Sequence, residues 1–495
     1  MRRVFIVDTT LRDGAQSPQV TFSLEGKVRF AQQLERLNVD VIDAGYPALS
    51  AEERAAVERV ADSVGSVTVM ALAQGDEGEI EEAARALSNA PRKRIHLYVP
   101  VSDIHRRYLL RGERREEVLK TSLEMVAKAA SLADEVEFTP GDAARADQGF
   151  LREVCCGVEE AGAKVINLSD TVGIAVPSKW AEVVAGVVKS LRGSALVSTH
   201  CHDDLGVATA NSLAAVEAGA SQVHATIGGV GTRAGNAAVE EIAVALHVWG
   251  EDLGLECGLE LREIYPTSRL LTMLTGCILP PHKAVVGDLA FVHTIEGHRM
   301  AVVKDQRAIQ IVDPQSVGRP SSRTPITRYA GRMMFEQKVH ELGYSLDEEQ
   351  LSDAYQLFSS VAWKKSEVTD ADVAAVVEEV ISEHGLEWEL VSFSISMESG
   401  SAPRAVVRLR RGELEIEEEA EGNGPVDAAF KAVERATETP AKLVDFSVRA
   451  LTYGKDALGE AVVRVRIGGR ERVGRAVRTD VVEAAIRAFL KAIDE

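Results

Sequence analysis

A chain of 495 residues, 45% hydrophobic and 27% charged, has the composition of a folded protein large enough for more than one core. Its formal charge of −20, from 56 basic against 76 acidic residues, argues against a nucleic-acid partner, which needs clustered Lys and Arg. No apolar run approaches the roughly 20 residues that span a bilayer. No signal-peptide core precedes the first strand-like run, and the five cysteines (155, 156, 201, 257, 277) make neither an even disulfide framework nor a zinc pair of pairs, so the expectation is a cytoplasmic protein with no membrane or nucleic-acid partner.

Through the first half of the chain, short β-branched runs alternate with longer amphipathic ones. The runs fall at residues 4–8, 39–45, 67–73, 94–101, 135–140, 164–170, 195–202 and 222–228, with helix-period segments such as 24–37, 51–64, 116–133 and 178–191 between them. Eight strand–helix units at a spacing of about 30 residues predict an α/β protein built on a closed (β/α)8 barrel. A doubly wound open sheet would carry a glycine-rich phosphate turn after its first strand, and Thr9-Thr10-Leu11-Arg12-Asp13-Gly14 is not one.

Past residue 265 the texture changes. Residues 266–325 read as irregular, helical segments follow up to about 384 (351–361 and 370–383 among them), and residues 387–495 alternate strands (390–396, 405–409, 444–451, 461–467) with helices at 425–437 and 480–493. The predicted organisation is a barrel over 1–265, a helical linker over 266–385 and a C-terminal α+β domain over 386–495. The acidic stretch 413–421 reads as a solvated strand edge in preference to a cation site.

Barrel enzymes draw their catalytic groups from the C-terminal ends of the strands. Here strand 1 leads into Arg12-Asp13-Gly14, strand 7 ends in His200-Cys201-His202-Asp203-Asp204, and strand 8 leads into Gly231-Thr232-Arg233-Ala234-Gly235-Asn236. Two histidines two apart on a strand share a face. With Asp13 they make a three-ligand set with open positions, the pattern of a catalytic divalent site that suits Zn, Mn, Fe or Co and tolerates Mg.

These segments resemble the 2-isopropylmalate synthase family and its homocitrate and citramalate synthase relatives. The resemblance is carried by Asp8-Thr9-Thr10-Leu11-Arg12-Asp13-Gly14, His200-Cys201-His202-Asp203-Asp204-Leu205-Gly206 and Arg233-Ala234-Gly235-Asn236. Asp170-Thr171-Val172-Gly173, His282-Lys283-Ala284-Val285-Val286-Gly287, 365–370, 422–430 and 449–459 also carry it. It implies metal-dependent Claisen condensation of acetyl-CoA with a 2-oxo acid in a homodimer, as in leucine biosynthesis, with a C-terminal domain that senses leucine or another amino acid. Asp13, His200 and His202 would be metal ligands, with Asn236 near or in the sphere. Arg12 would stand beside the keto oxygen, Thr171 would hold the substrate carboxylate, and His96, Leu72, Thr139 and Ser169 would line the substrate pocket. His298 would serve the neighbouring subunit. An aldolase or lyase on the same barrel, and a non-catalytic metabolite sensor, are the alternatives.

Several positions depart from the family pattern. Gly141 stands where a glutamate is usual after strand 5, Thr232 where another is usual before Arg233, and Ser169 in place of a proline. Gly228-Gly229 replaces Asn-Gly, Asp43 and Tyr46 replace a glutamate and a phenylalanine, Ile309 replaces a tyrosine, and Arg299-Met300 follows His298. Clustered around one pocket, these changes imply a 2-oxo acid other than 2-oxoisovalerate. Lost carboxylates would strengthen the pull on an anionic ligand and make room for a bulkier or more anionic one.

Overall fold

The computed structural model describes every residue except 75, 111, 321–325, 364, 366, 367, 384, 385, 451–458 and 495. The stretches 365–370, 444–451 and 449–459 singled out above therefore lie partly outside the described residues.

Eight parallel strands close into a ring. They are β1 (Arg2–Asp8), β2 (Val41–Gly45), β3 (Thr68–Ala73), β4 (Arg92–Pro100), β5 (Glu135–Gly141), β6 (Val165–Asp170), β7 (Leu196–Cys201) and β8 (Gln222–Ala225). The ring runs in chain order, and β1 seals it by pairing with β8 through Phe5–Asp8 and with β2 through Val7 and Asp8. Every residue of β2, β3 and β6 is buried, as expected when helices cover one face of a parallel sheet and a packed barrel fills the other. Several of the helices between start on side-chain caps. Ser23, Ser50 and Asp147 accept from the backbone N–H groups of Gly26, Glu53 and Phe150, and each helix then turns its apolar stripe onto the sheet.

Two boundaries differ from expectation. β8 stops at Ala225, because Ile227–Gly229 form a tight turn in which Gly228 and Gly229 take φ of 72° and 69°, open to glycine at no steric cost. A ninth strand, β9 (Leu255–Cys257), extends the sheet outside the ring by pairing with Arg2–Val4 of β1, and its three residues are too few for a period to declare. The inside of the ring is polar beneath the site. Arg94 on β4 donates to Glu137 on β5 at 3.0 Å, Gln222 on β8 donates to the same carboxylate at 2.9 Å, and His224 Nε2 approaches its other oxygen to 2.7 Å, off the hydrogen-bonding direction. Burial alone would raise Glu137, but His224, His96 and Arg94 outweigh it and hold the carboxyl ionised well below its ordinary range.

The chain divides into two compact units, Met1–Val292 with Asp305–Arg323, and His293–Lys304 with Thr324–Glu495. In the second unit, helices Arg332–Glu341, Glu348–Ala362 and Asp370–Glu383 share one apolar core. Two three-stranded antiparallel sheets follow, β10 (Glu389–Ser396), β11 (Arg404–Arg411) and β12 (Leu414–Glu421), then β13 (Lys442–Ala450), β14 (Gly459–Ile467) and β15 (Arg470–Arg478). Helix Pro425–Thr437 backs the first sheet and helix Val481–Asp494 the second. The acidic stretch is the edge strand β12, whose Glu415 and Glu417 pair across to Arg410 and Arg408 of β11.

Candidate metal centre and substrate cavity

Three ligand atoms converge at the C-terminal mouth of the ring. Asp13 sits on the turn after β1, where its N–H and that of Gly14 both donate to Thr9 O, and it is buried. His200 lies on β7, and His202 lies one residue past its end, bridged to Asn236. His200 Nε2 is 3.2 Å from Asp13 Oδ2, His202 Nε2 is 3.9 Å from the same oxygen, and the two Nε2 atoms are 3.2 Å apart. His202 Nδ1 faces Gly235 O at 3.3 Å, which places its proton there and turns the Nε2 lone pair inward.

The electrostatics suit a cation. Burial alone would raise Asp13, but Arg12 and the two imidazoles outweigh it and hold the carboxyl ionised. Burial lowers His200, and burial with the facing His200 ring pushes His202 down to about 4. Two neutral imidazoles and one carboxylate, with ligand atoms all within 4.8 Å of one another, are a donor set that fits a divalent ion. Asn236 Nδ2 donates to Val230 O at 3.1 Å, and its buried Oδ1 has no partner, an acceptor left over beside the triad.

The triad opens into a cavity of about 380 Å³. Arg12 lines it, its Nε donating to the fully buried Asp43 at 2.6 Å and its Nη1 standing 3.4 Å from Asp13. Burial raises Asp43 to about 6 despite that guanidinium. Leu72, His96, Thr139, Ser169 and Thr171 line the same cavity. His96 Nε2 meets Thr139 Oγ1 at 2.7 Å, and Asn167 Nδ2 donates to that oxygen at 2.9 Å. The Thr139 proton therefore goes to His96, whose pKa burial drives well below its usual value.

Sequence reasoning missed Gln16, Gln74, Tyr98 and Asn167, which also line the cavity. Three of them carried a signal, since Gln74, Tyr98 and Asn167 stand two residues from Leu72, His96 and Ser169 and so share their faces. The room expected from a glycine at 141 is not there. A Cβ on Gly141 would lie 2.5 Å from the Tyr98 Cζ and Oη atoms, so the phenol occupies that space. His298 is exposed on helix Glu296–Lys304 of the second unit and is not among the cavity's lining residues; Ile309 is likewise exposed. Among the described residues no helix is long and apolar enough to cross a membrane.

Comparison with known proteins covers the chain end to end. The HMGL-like profile matches residues 3–271, the homocitrate synthase post-HMGL domain-like profile 285–366, and the LeuA allosteric (dimerisation) domain profile 367–495. A 2-isopropylmalate synthase from Heliobacterium modesticaldum is 42% identical over all of this chain and 97% of its own length. Those from Pyrococcus abyssi and Pyrococcus furiosus are 43% and 41% identical, over 98% and 100% of this chain and 100% and 99% of theirs. With relatives matched along their whole length, and with the strand-end motifs gathered at one cavity, the chain belongs to the 2-isopropylmalate synthase family.

Proposed function

We propose that this chain joins the methyl carbon of acetyl-CoA to the keto carbon of a 2-oxo acid and releases CoA, giving a 2-alkylmalate. The observation that carries the reading is the convergence of Asp13, His200 and His202 with Arg12 and Thr171 around one cavity. A divalent cation held by Asp13, His200 and His202, with Asn236 beside it, would supply Lewis acidity at the keto group. Arg12 donates to the keto oxygen as it becomes an alkoxide, and its hydrogen bond to Asp43 fixes the guanidinium for that task. The Thr171 hydroxyl holds the substrate carboxylate, and His96, Leu72, Thr139 and Ser169 enclose the side chain.

A methyl proton of acetyl-CoA passes to a base and the resulting carbanion attacks the keto carbon. The alkoxide is protonated, and water cleaves the thioester to carboxylate and thiol. His298, offered by a second copy of the chain, is the candidate base. The proposed division of labour gives residues 1–265 catalysis, 266–385 the linker and 386–495 amino-acid sensing in a homodimer, in line with the dimerisation-domain match over 367–495. That match through the C-terminal domain favours condensation over a lyase, and the full-length 2-isopropylmalate synthase relatives favour it over a silent sensor. The substrate pocket's departures favour a 2-oxo acid other than 2-oxoisovalerate. Thiol release from acetyl-CoA, measured over a panel of 2-oxo acids with Mn2+, Mg2+, Zn2+ or Co2+ restored to stripped protein, tests the reading. Release that needs both an oxo acid and a metal is expected, and none with any combination would sink it.

A further inference from the structure

Of the fifteen side chains that line the cavity, Leu72 is the one without a polar atom. A branched alkyl group seated there would gain no hydrogen bond from those side chains. Asp13 is the one carboxylate of that lining and belongs to the triad, whereas Arg12 and Arg233 both reach the cavity. The lining therefore holds donors that an occupant with hydrogen-bond acceptors could use.

The acceptor-seeking groups are gathered on one wall. Tyr98 and Thr171 both line the cavity, and burial raises the phenol's pKa so that it keeps its proton. Thr171 Oγ1 accepts from Asp142 N at 2.9 Å and lies 3.0 Å from Ser169 Oγ, and the chain ends on Pro140 O, 3.4 Å from Ser169. Two hydroxyl protons and one N–H are thus relayed toward a single long contact with a carbonyl. An anionic oxygen in the cavity is a stronger acceptor than that carbonyl and than the neutral hydroxyls. Gly141 belongs to the same arrangement. Its φ lies outside the left-handed region, so the backbone does not demand glycine there, whereas the Tyr98 ring does. The pair works as a unit in which the missing side chain on β5 makes way for the phenol on β4.

We propose that Tyr98, with Ser169, is a specificity-determining donor wall that selects a 2-oxo acid whose side chain carries a second acidic group, while Thr171 keeps the carboxylate next to the keto group. The inference rests on the condensation reading and assigns its substrate class. Its test compares oxaloacetate and 2-oxoglutarate with their uncharged counterparts 2-oxobutyrate and 2-oxoisovalerate, using the metal-loaded full chain. The first measurement is acetyl-CoA-dependent thiol release; the second is oxo-acid binding by calorimetry without acetyl-CoA. One dicarboxylic acid is expected to exceed 2-oxoisovalerate at least about tenfold in kcat/KM and in affinity. Tyr98→Phe is expected to shrink that preference about tenfold, chiefly through KM, and Ser169→Ala to shrink it less, so a poorly folded Tyr98 variant does not end the test. Thiol release that prefers 2-oxoisovalerate overturns the inference and leaves the condensation reading standing. No release with any acid sinks that reading, and the calorimetric order then decides the wall by itself.

Discussion

The two ends of the cavity are built by different means. At the candidate metal end the three groups that would hold the ion are fixed by backbone. Asp13 rides a turn whose N–H groups close on Thr9 O, His200 sits on β7, and His202 is steered by Gly235 O. At the other end the wall is fixed by side chains reaching across strands. Tyr98 fills the space over Gly141, and Ser169 and Thr171 lean on Asp142, itself in a left-handed conformation at φ 63°. A site anchored in backbone persists as long as the barrel does. A site assembled from side chains can be rewritten by a few substitutions without touching the fold, and Gly141 and Ser169, two of the departures from the family pattern, lie there.

The sharpest way to break the contrast is at the metal end. Asp13→Asn should lower CoA release by about 10³-fold or more, because several kcal/mol of charge stabilisation go with the ion, and metal analysis should find the purified protein depleted. Full metal content with an intact rate would remove Asp13 from the site. Arg12→Lys keeps the charge but loses the Nε bond to Asp43 and should cost about 10²-fold in kcat with a smaller change in KM.

At the wall, Gly141→Ala forces a Cβ into the Tyr98 ring and should destabilise by about 1–3 kcal/mol in denaturant unfolding. On a Tyr98→Ala background the same change should cost almost nothing; equal costs on both backgrounds would mean that the two residues do not share the space.

The smallest effect is a slope. Burial raises Glu240 from its ordinary 4.5 to about 7, with Lys283 opposing. The folded state therefore keeps a proton that the unfolded chain gives up above 4.5. The resulting stability is full below that value and lost as pH rises through about 7. Relative to Glu240→Gln, the melting temperature of the unaltered chain should fall between pH 5 and pH 8. Asp8, also raised to about 7, leaves part of the slope in the variant.

The same division explains how much could be read beforehand. The barrel was legible because eight buried runs recur at regular spacing, and the triad because period-two strands put His200 and His202 on one face while Asp13 follows another strand end. Tyr98 was legible in part, since it shares parity with His96. Its occupation of the Gly141 space was not, because that depends on the pairing that sets Tyr98 beside Thr139 and on the length of a tyrosine. Sequence reasoning took a missing side chain for empty room. A glycine reports what its own residue lacks and is silent about which neighbour fills the gap. The end of β8 was misread for a related reason, as Gly228 and Gly229 continue an apolar run by composition while their dihedrals turn the chain.

The seam at β1 also bears on how fast the protein forms. Ile227 N donates to Thr10 Oγ1 across 217 positions, and Phe5–Asp8 pair with β8, so the ring shuts on some of the most distant partners the barrel contains. Contacts of that span are slow to form, because loop closure must precede their reward. Asp13 stands just past the first strand and His200 and His202 at the seventh, so the three candidate ligands meet late, when the ring is nearly shut. Acquisition of the ion during refolding would then serve as a clock for barrel closure, with bound metal rising after helical signal has already returned.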